Sequence, residues 1–433
     1  MLLYSASGGL WSLPGRVTFS FVPDGTNVGG VPSALVSTLN ASYSTSVWQQ
    51  QFQKAAAVWE AVSNINLSQV SDNGADIGGA GNQQGDPNFG DIRIGGMPQS
   101  NSQLAFALSP PPFNGGSAAG DIFLNTTQNW SNTNGYDLET VAIHEFGHAL
   151  GMSHSAITNA DMYAYYNGTK QALTSDDTAG IQSVYGGRQN DAIDAAHSNN
   201  TSSTATDITS YIDANSQIAL PSLDVTTTLD ADWYKVTVPA NTTGTLTASV
   251  QSTNLSELSP RINIFNSSLQ SLAYQSLPNT YGATATASIT GVTAGQTYYI
   301  RASNANNGIT GTGGYGLLVN FGSAAQAPIN PPNTTVAARP DQGGGSSGEG
   351  AGDSGLLGGP GIDIGQTIQI GKLIAWGDDL SVADMSPAHP GTSSPADASS
   401  PVDHTVYTLT FDQALAMLGS PTTDDLGKAH KKG

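Results

Sequence analysis

The run His144-Glu145-Phe146-Gly147-His148-Ala149-Leu150-Gly151-Met152-Ser153-His154 constrains this chain more than any other feature. It fits H-E-x-x-H-x-x-G-x-x-H at every fixed position. On a helix, His144 and His148 lie four apart, so both imidazoles leave one face and can share one tetrahedral Zn²⁺. Glu145 sits beside them, where a carboxylate can take a proton from a water at the metal. Gly151 ends the helix, because glycine enters the left-handed region freely. The chain then reverses and brings in His154 as third ligand. The fourth position stays open for water, which marks a catalytic rather than a structural site. H-E-x-x-H alone is short enough to arise by chance. The added glycine and third histidine make a helix with incidental histidines a poor account. Of seven histidines in the chain, none precedes His144, and His197, His389, His404 and His430 lie beyond the run.

The 433 residues are enough for two domains and a tail. Cysteine is absent, which excludes disulfides, a thiolate metal site and a cysteine nucleophile. Such usage suits an exported bacterial protein. A net charge of −20 and a pI near 4.3 argue against nucleic acid as a partner, since phosphates need Lys and Arg. Acidity fits a soluble extracellular protein, and some of the Asp residues can bind Ca²⁺. No apolar stretch approaches the ~20 residues of a membrane span. Met1-Leu2-Leu3-Tyr4 shows no basic n-region and no h-region, so no signal peptide is visible.

Along the chain, Val17 to Val22 alternates between turn signals and reads as a strand. Trp48, Phe52, Ala55, Trp59 and Val62 recur at helical spacing and predict a long amphipathic helix packed on a sheet. Short strands are expected at Asp91 to Ile94, Leu104 to Leu108 and Gly120 to Leu124. Helices are expected from about Asp137 through Leu150 and from about Asp176 to Tyr185. Thr174 with Asp177 resembles a capping box, and Gly186-Gly187 stops the last helix. Residues 188–205 are polar and read as a linker. From 206 to 322 short alternating strands with turn signals give an all-β pattern. Residues 323–433 are rich in Pro, Gly, Ser and Asp and read as mostly disordered, with possible local order at Ile368 to Trp376 and Tyr407 to Leu418.

The segment 11–187 resembles the matrixin branch of the metzincins, and not on the zinc motif alone. Tyr136-Asp137-Leu138-Glu139-Thr140-Val141-Ala142-Ile143 leads into the motif as in matrixins. Asp161-Met162-Tyr163-Ala164-Tyr165-Tyr166 looks like the Met-turn, and Leu173 to Gly186 looks like the family's closing helix. The resemblance implies that Met162 lies beneath the zinc and that Tyr163, Ala164, Tyr165 and Tyr166 line the S1′ pocket. Ala164 stands where matrixins commonly have proline. Many matrixins also hold a structural zinc; its ligand positions correspond to Phe106 and Phe123, which implies a single catalytic Zn²⁺ here. With no cysteine, the family's cysteine-based latency has no counterpart. A substrate strand is expected along the edge near Leu104 to Leu108.

Asp230-Ala231-Asp232-Trp233-Tyr234-Lys235-Val236, Ala294 to Ile300 and Gly313 to Val319 resemble the bacterial pre-peptidase C-terminal domain, a small β-sandwich found beside secreted proteases. Asp230 and Asp232 read as a solvated turn before a Ca²⁺ site. Gly358 to Gln366 nearly fits a Ca²⁺-binding nonapeptide, but one copy has no neighbours on which to stack. The expected fold class is α+β: a metzincin catalytic domain (1–187) with a twisted mixed sheet and long helices, a linker (188–205), an all-β sandwich domain (206–322) and a disordered C-terminal tail. The expected function is that of a secreted zinc endopeptidase acting on protein or peptide substrates. His144, His148 and His154 are then the metal ligands, Glu145 is the general base, and the β-sandwich binds a matrix or surface polymer. The alternatives are a non-catalytic adhesion or matrix-binding protein and a self-processing protease. A lost Glu or lost ligand would favour the first, and neither is lost.

Overall fold

A computed structural model describes residues 4–330, except 132 and 241, together with the strand Leu373–Ala375. The proposed nonapeptide, the island Tyr407 to Leu418 and most of the tail lie outside the described residues. The first sheet contains β1 (Val17–Phe21), β2 (Leu67–Gln69), β3 (Ile92–Met97), β4 (Ala105–Leu108) and β5 (Ile122–Asn125) in the spatial order β4-β5-β3-β1-β2. Among these five strands all pairings are parallel except that of β4 with β5. Two helices matter for the site: α1 (Thr45–Glu60) and α2 (Leu138–Ala149).

The apolar face read on α1 is the one that is buried. Trp48, Phe52, Ala55 and Trp59 are fully enclosed, while Val62 falls just past the helix end. Phe21 of β1 meets Trp48 and Phe52 edge to face at 4.8 and 5.2 Å, and Phe19 meets Phe146 of α2 at 5.4 Å. Rings of this size bury roughly 150–250 Å² each, so they dominate the packing that seats α2 on the sheet. Trp59 Nε1 also donates to the Ile143 carbonyl at 2.9 Å, which ties α1 to the turn before His144. The last helix of this unit, α3 (Ser175–Tyr185), has the capping box predicted from Thr174 and Asp177.

The second unit has eight main strands: β6 (Gln217–Val225), β7 (Ala231–Thr237), β8 (Thr245–Gln251), β9 (Pro260–Phe265), β10 (Ser271–Ser276), β11 (Thr284–Thr290), β12 (Thr297–Asn304) and β13 (Gly313–Asn320). One sheet runs β10-β9-β12-β7 and ends on the short strand Thr206–Asp207; the other runs β11-β8-β13-β6. Their period-2 patterns turn Tyr234, Ile262 and Ile300 from one sheet, and Leu246, Val250 and Leu317 from the other, into one shared core.

Residues 188–205 read as a linker, yet their side chains are tied into both units. They contain α4 (Ala192–Ala196), capped by Asp191, and Asp191, Asp194 and Asn199 are buried. Arg188 donates to the Glu60 and Ile65 carbonyls, to Asn66 and, through two nitrogens, to Asp224 of β6. Glu60 and Glu257 meet beneath it, one from each unit, both fully buried. Glu60 accepts from the backbone of Leu67 (2.6 Å) and Glu257 (3.3 Å), and Glu257 accepts from that of Gln69 (2.9 Å). A stretch that looks polar in one dimension is here satisfied by buried hydrogen bonds.

A sixth strand, β14 (Leu373–Ala375), pairs antiparallel with β4, Leu373 opposite Leu108 and Ala375 opposite Phe106. The edge expected to be exposed is thus covered by a strand of the chain itself.

Candidate metal centre

α2 starts at Asp137, whose carboxylate caps the Thr140 N–H at 2.9 Å, and it ends within one turn of His148. Gly151 has φ +99°, and a Cβ there would collide with the Gly9 carbonyl, so only glycine makes this reversal. The returning strand Met152–Ser153 pairs antiparallel with Ser5–Ala6, which fixes the approach of His154.

The structure brings the three histidines together. One donor atom from each of His144, His148 and His154 lies within 4.8 Å of the others. The His144 and His148 Nε2 atoms are 3.0 Å apart. Each ring is oriented from behind: His144 Nδ1 is 2.6 Å from the Asp161 carbonyl, and His148 Nδ1 is 2.9 Å from the Met152 carbonyl. These carbonyls accept from Nδ1–H, so both rings present Nε2 lone pairs to one point, as metal ligation needs. Burial first, then the neighbouring His148 and His154, holds the His144 imidazole well below its usual pKa and keeps it neutral.

Glu145 is fully buried, and neither carboxyl oxygen has a hydrogen-bond partner among the described residues. Burial pushes its pKa well above the carboxylate range. Three convergent imidazoles, two of them held from behind by carbonyls, fit a divalent cation, and Glu145 follows the first of them on the same helix.

Met162 is fully buried under this helix. A Cβ on Gly147 would strike its sulfur, so the turn sits directly against the zinc-motif turn. Tyr163 is half-buried with the Lys170 ammonium 5.5 Å from its ring centre; Ala164 follows it, half-buried. Tyr165 is exposed, and the Tyr166 hydroxyl accepts from the Asp137 N–H at 3.2 Å. Sequence reasoning saw Asp177 only as a helix cap. Its carboxylate also accepts from the backbone N–H groups of Asp161 and Met162, at 3.0 and 3.1 Å, and so holds the turn under the histidines. Asp161 was likewise missed, because the group that matters to His144 is its backbone carbonyl.

Phe106 and Phe123 are buried and stack at 4.9 Å with 27° between planes. A second cluster lies elsewhere: Asp194, Asp230 and Asp232 offer oxygens within 4.8 Å of one another, and all three are buried. The reading of Asp230 and Asp232 as a solvated turn is therefore corrected; α4 and the strands of the second unit cover them. Tyr315 donates to Asp232 at 2.6 Å, and the Asn199 amide nitrogen can reach Asp194 at 2.7 Å and Asp232 at 2.8 Å. One Asp230 oxygen has no hydrogen-bond partner among the described residues. Burial, then the charge of Asp230, pushes Asp232 up to about 9.

The Matrixin family model matches residues 34–186. Over 149 residues the chain is 36% identical to karilysin of Tannerella forsythia, covering 32% of this chain and 28% of that protein. It is 40% identical over 142 residues to interstitial collagenase of Equus caballus (33% and 29%). It is 34% identical over 142 residues to neutrophil collagenase of Homo sapiens (32% and 28%). The chain thus matches less than a third of the length of these curated relatives.

Proposed function

We propose that the chain, whose residues 34–186 match the Matrixin family model, is a secreted zinc-dependent endopeptidase with a matrixin-like metzincin catalytic domain. The convergence of His144, His148 and His154 beside the orphaned Glu145 carries this reading. The three imidazoles would hold the ion, His144 and His148 through Nε2. Bound there, Zn²⁺ supplies a Lewis acid that polarises the scissile carbonyl and acidifies the attacking water. Glu145 takes the water proton and later delivers it to the leaving amine. The substrate main chain pairs on β4 once Leu373–Ala375 has left that edge, and residues 163–166 form the wall of the pocket that selects the side chain after the cleaved bond. Products from a diverse peptide library, sequenced with and without a chelator, test this. Cleavage that persists at full rate after zinc is stripped rejects it.

The second unit is read as a pre-peptidase C-terminal-like β-sandwich that tethers the enzyme to a polymer, with Ca²⁺ held by Asp194, Asp230 and Asp232. Three buried carboxylates with one orphaned oxygen suit an oxygen-loving cation. One tightly held zinc and one calcium per chain are expected by elemental analysis, since Phe106 and Phe123 offer no second zinc donor. Asp230→Asn with Asp232→Asn should lose the calcium and keep the zinc. Two zinc equivalents resistant to mild chelation, or a calcium content unchanged in the double variant, reject these assignments.

One observation favours self-processing as a second reading: β14 lies antiparallel on the edge taken here as the substrate site. The purified chain should then shorten near residues 373–375 at a rate independent of its concentration, and the Glu145→Gln chain should stay whole. A parent chain that remains intact rejects this reading.

A further inference from the structure

Lys235, Arg261 and Arg301 are the only Lys and Arg residues between 206 and 322. All three project from one face of the sheet β10-β9-β12-β7. Cross-strand register puts Tyr274, Asn263, Arg301 and Trp233 in one row, and Phe265, Tyr299 and Lys235 in the next. Lys235 is paired with Asp207 at 3.1 Å. Among the described residues no carboxylate lies within ion-pair distance of Arg261 or Arg301, and the Arg301 Nε is buried without a hydrogen-bond partner. In a chain of net charge −20, these two guanidinium groups lie near one another without an ion-pair partner among the described residues.

The two arginines line a cleft of about 370 Å³ with Asp230, Ser303, Asn304, Asn306 and Asn307; one carboxylate faces two guanidinium groups there, and the hydroxyl and amide groups suit a polyhydroxylated ligand. Aromatic rings stand beside the two arginines on the same sheet face. The Arg301 guanidinium stands 5.9 Å from the Trp233 ring centre, and that of Arg261 stands 5.9 Å from Tyr274. Trp233 also lies 4.9 Å from Phe265. Tyr274 is 66% exposed, and Leu229 at the cleft is 89% exposed. Backbone hydrogen bonds on a sheet face are already used within the sheet, so a peptide cannot add here as a strand. Recognition must go through side chains: ring faces, amides and two cations.

We propose that this face binds an acidic polysaccharide. Arg261 and Arg301 take its carboxylate or sulfate, and its sugar rings lie against Trp233 and Tyr274. Guanidinium groups grip such anions with paired hydrogen bonds. The proposal rests on the tethering role of the β unit and not on the peptidase reading.

The test is calorimetric titration of the full chain with four probes: a galacturonate hexamer, a heparin hexasaccharide, maltohexaose and poly-L-glutamate. The two acidic sugars should bind, and the tighter of them identifies carboxylate or sulfate as the anion. Added salt should weaken binding. Arg261→Gln and Arg301→Gln should each weaken it at least tenfold, and Arg301→Lys should recover part of the loss. Short-peptide hydrolysis, measured on the same samples, should not change, so failure of this proposal and failure of the peptidase reading are separate results. The proposal is overturned if maltohexaose binds as tightly, if poly-L-glutamate binds best, if the variants bind like the parent, or if no probe binds.

Discussion

Glu145→Gln is expected to keep its zinc and lose peptidase activity by at least ~10²-fold, the usual worth of a positioned general base. The amide matches the carboxyl in size, and the Glu145 carboxyl makes no hydrogen bond among the described residues that its loss would break. The rings of His144 and His148 are oriented from behind by the Asp161 and Met152 carbonyls, not by Glu145, so the ligand set survives the change. His148→Ala should differ in kind: it removes a donor atom, and metal and activity should fall together. Metal content and peptide turnover on the same preparations separate the two cases. Turnover near that of the parent in Glu145→Gln would take this carboxyl out of the mechanism.

The zinc motif was legible because its chemistry is local. His144 and His148 share a helix face by spacing alone, and Gly151 announces the reversal that delivers His154. The face of α1 and the Thr174–Asp177 box follow from equally short-range rules. What failed to show lies between segments far apart in the chain. Nothing near Glu60 hints that Glu257 will face it. Nothing in 188–205 shows that Arg188 will be held by Asp224, or that Asp194 will join Asp230 and Asp232. A buried polar group looks like a surface one until its partners are known. Asp161 was hidden for another reason: it acts on His144 through a carbonyl that every residue possesses.

The buried contact between Glu60 and Glu257 should make stability depend strongly on pH. Glu60 and Glu257 face each other in a fully buried interface, with Arg188 and Asp224 the nearby charges. Burial, partly opposed by Arg188, raises Glu60 from 4.5 to about 8. Burial and the charge of Glu60 raise Glu257 well above its usual value. A carboxyl whose pKa is higher folded than unfolded binds more protons in the folded state. Its stabilisation is complete below the unfolded value and declines as pH climbs toward the folded one. For Glu60 that window runs from about 4.5 to about 8, at up to ~1.4 kcal/mol per pH unit. The junction between the two units should therefore be firmest in mild acid and weaken toward pH 8. Glu257→Gln removes one of the two ionisations, and its amide oxygen can still accept from Gln69. Other buried carboxyls also tilt the curve, so the useful quantity is the difference in Tm between variant and parent. It should widen by several °C in the variant's favour from pH 5 to pH 8, and Glu60→Gln should behave alike. A difference that stays constant across that range would mean that both carboxyls titrate alike in the folded and unfolded chain, so that burial raises neither.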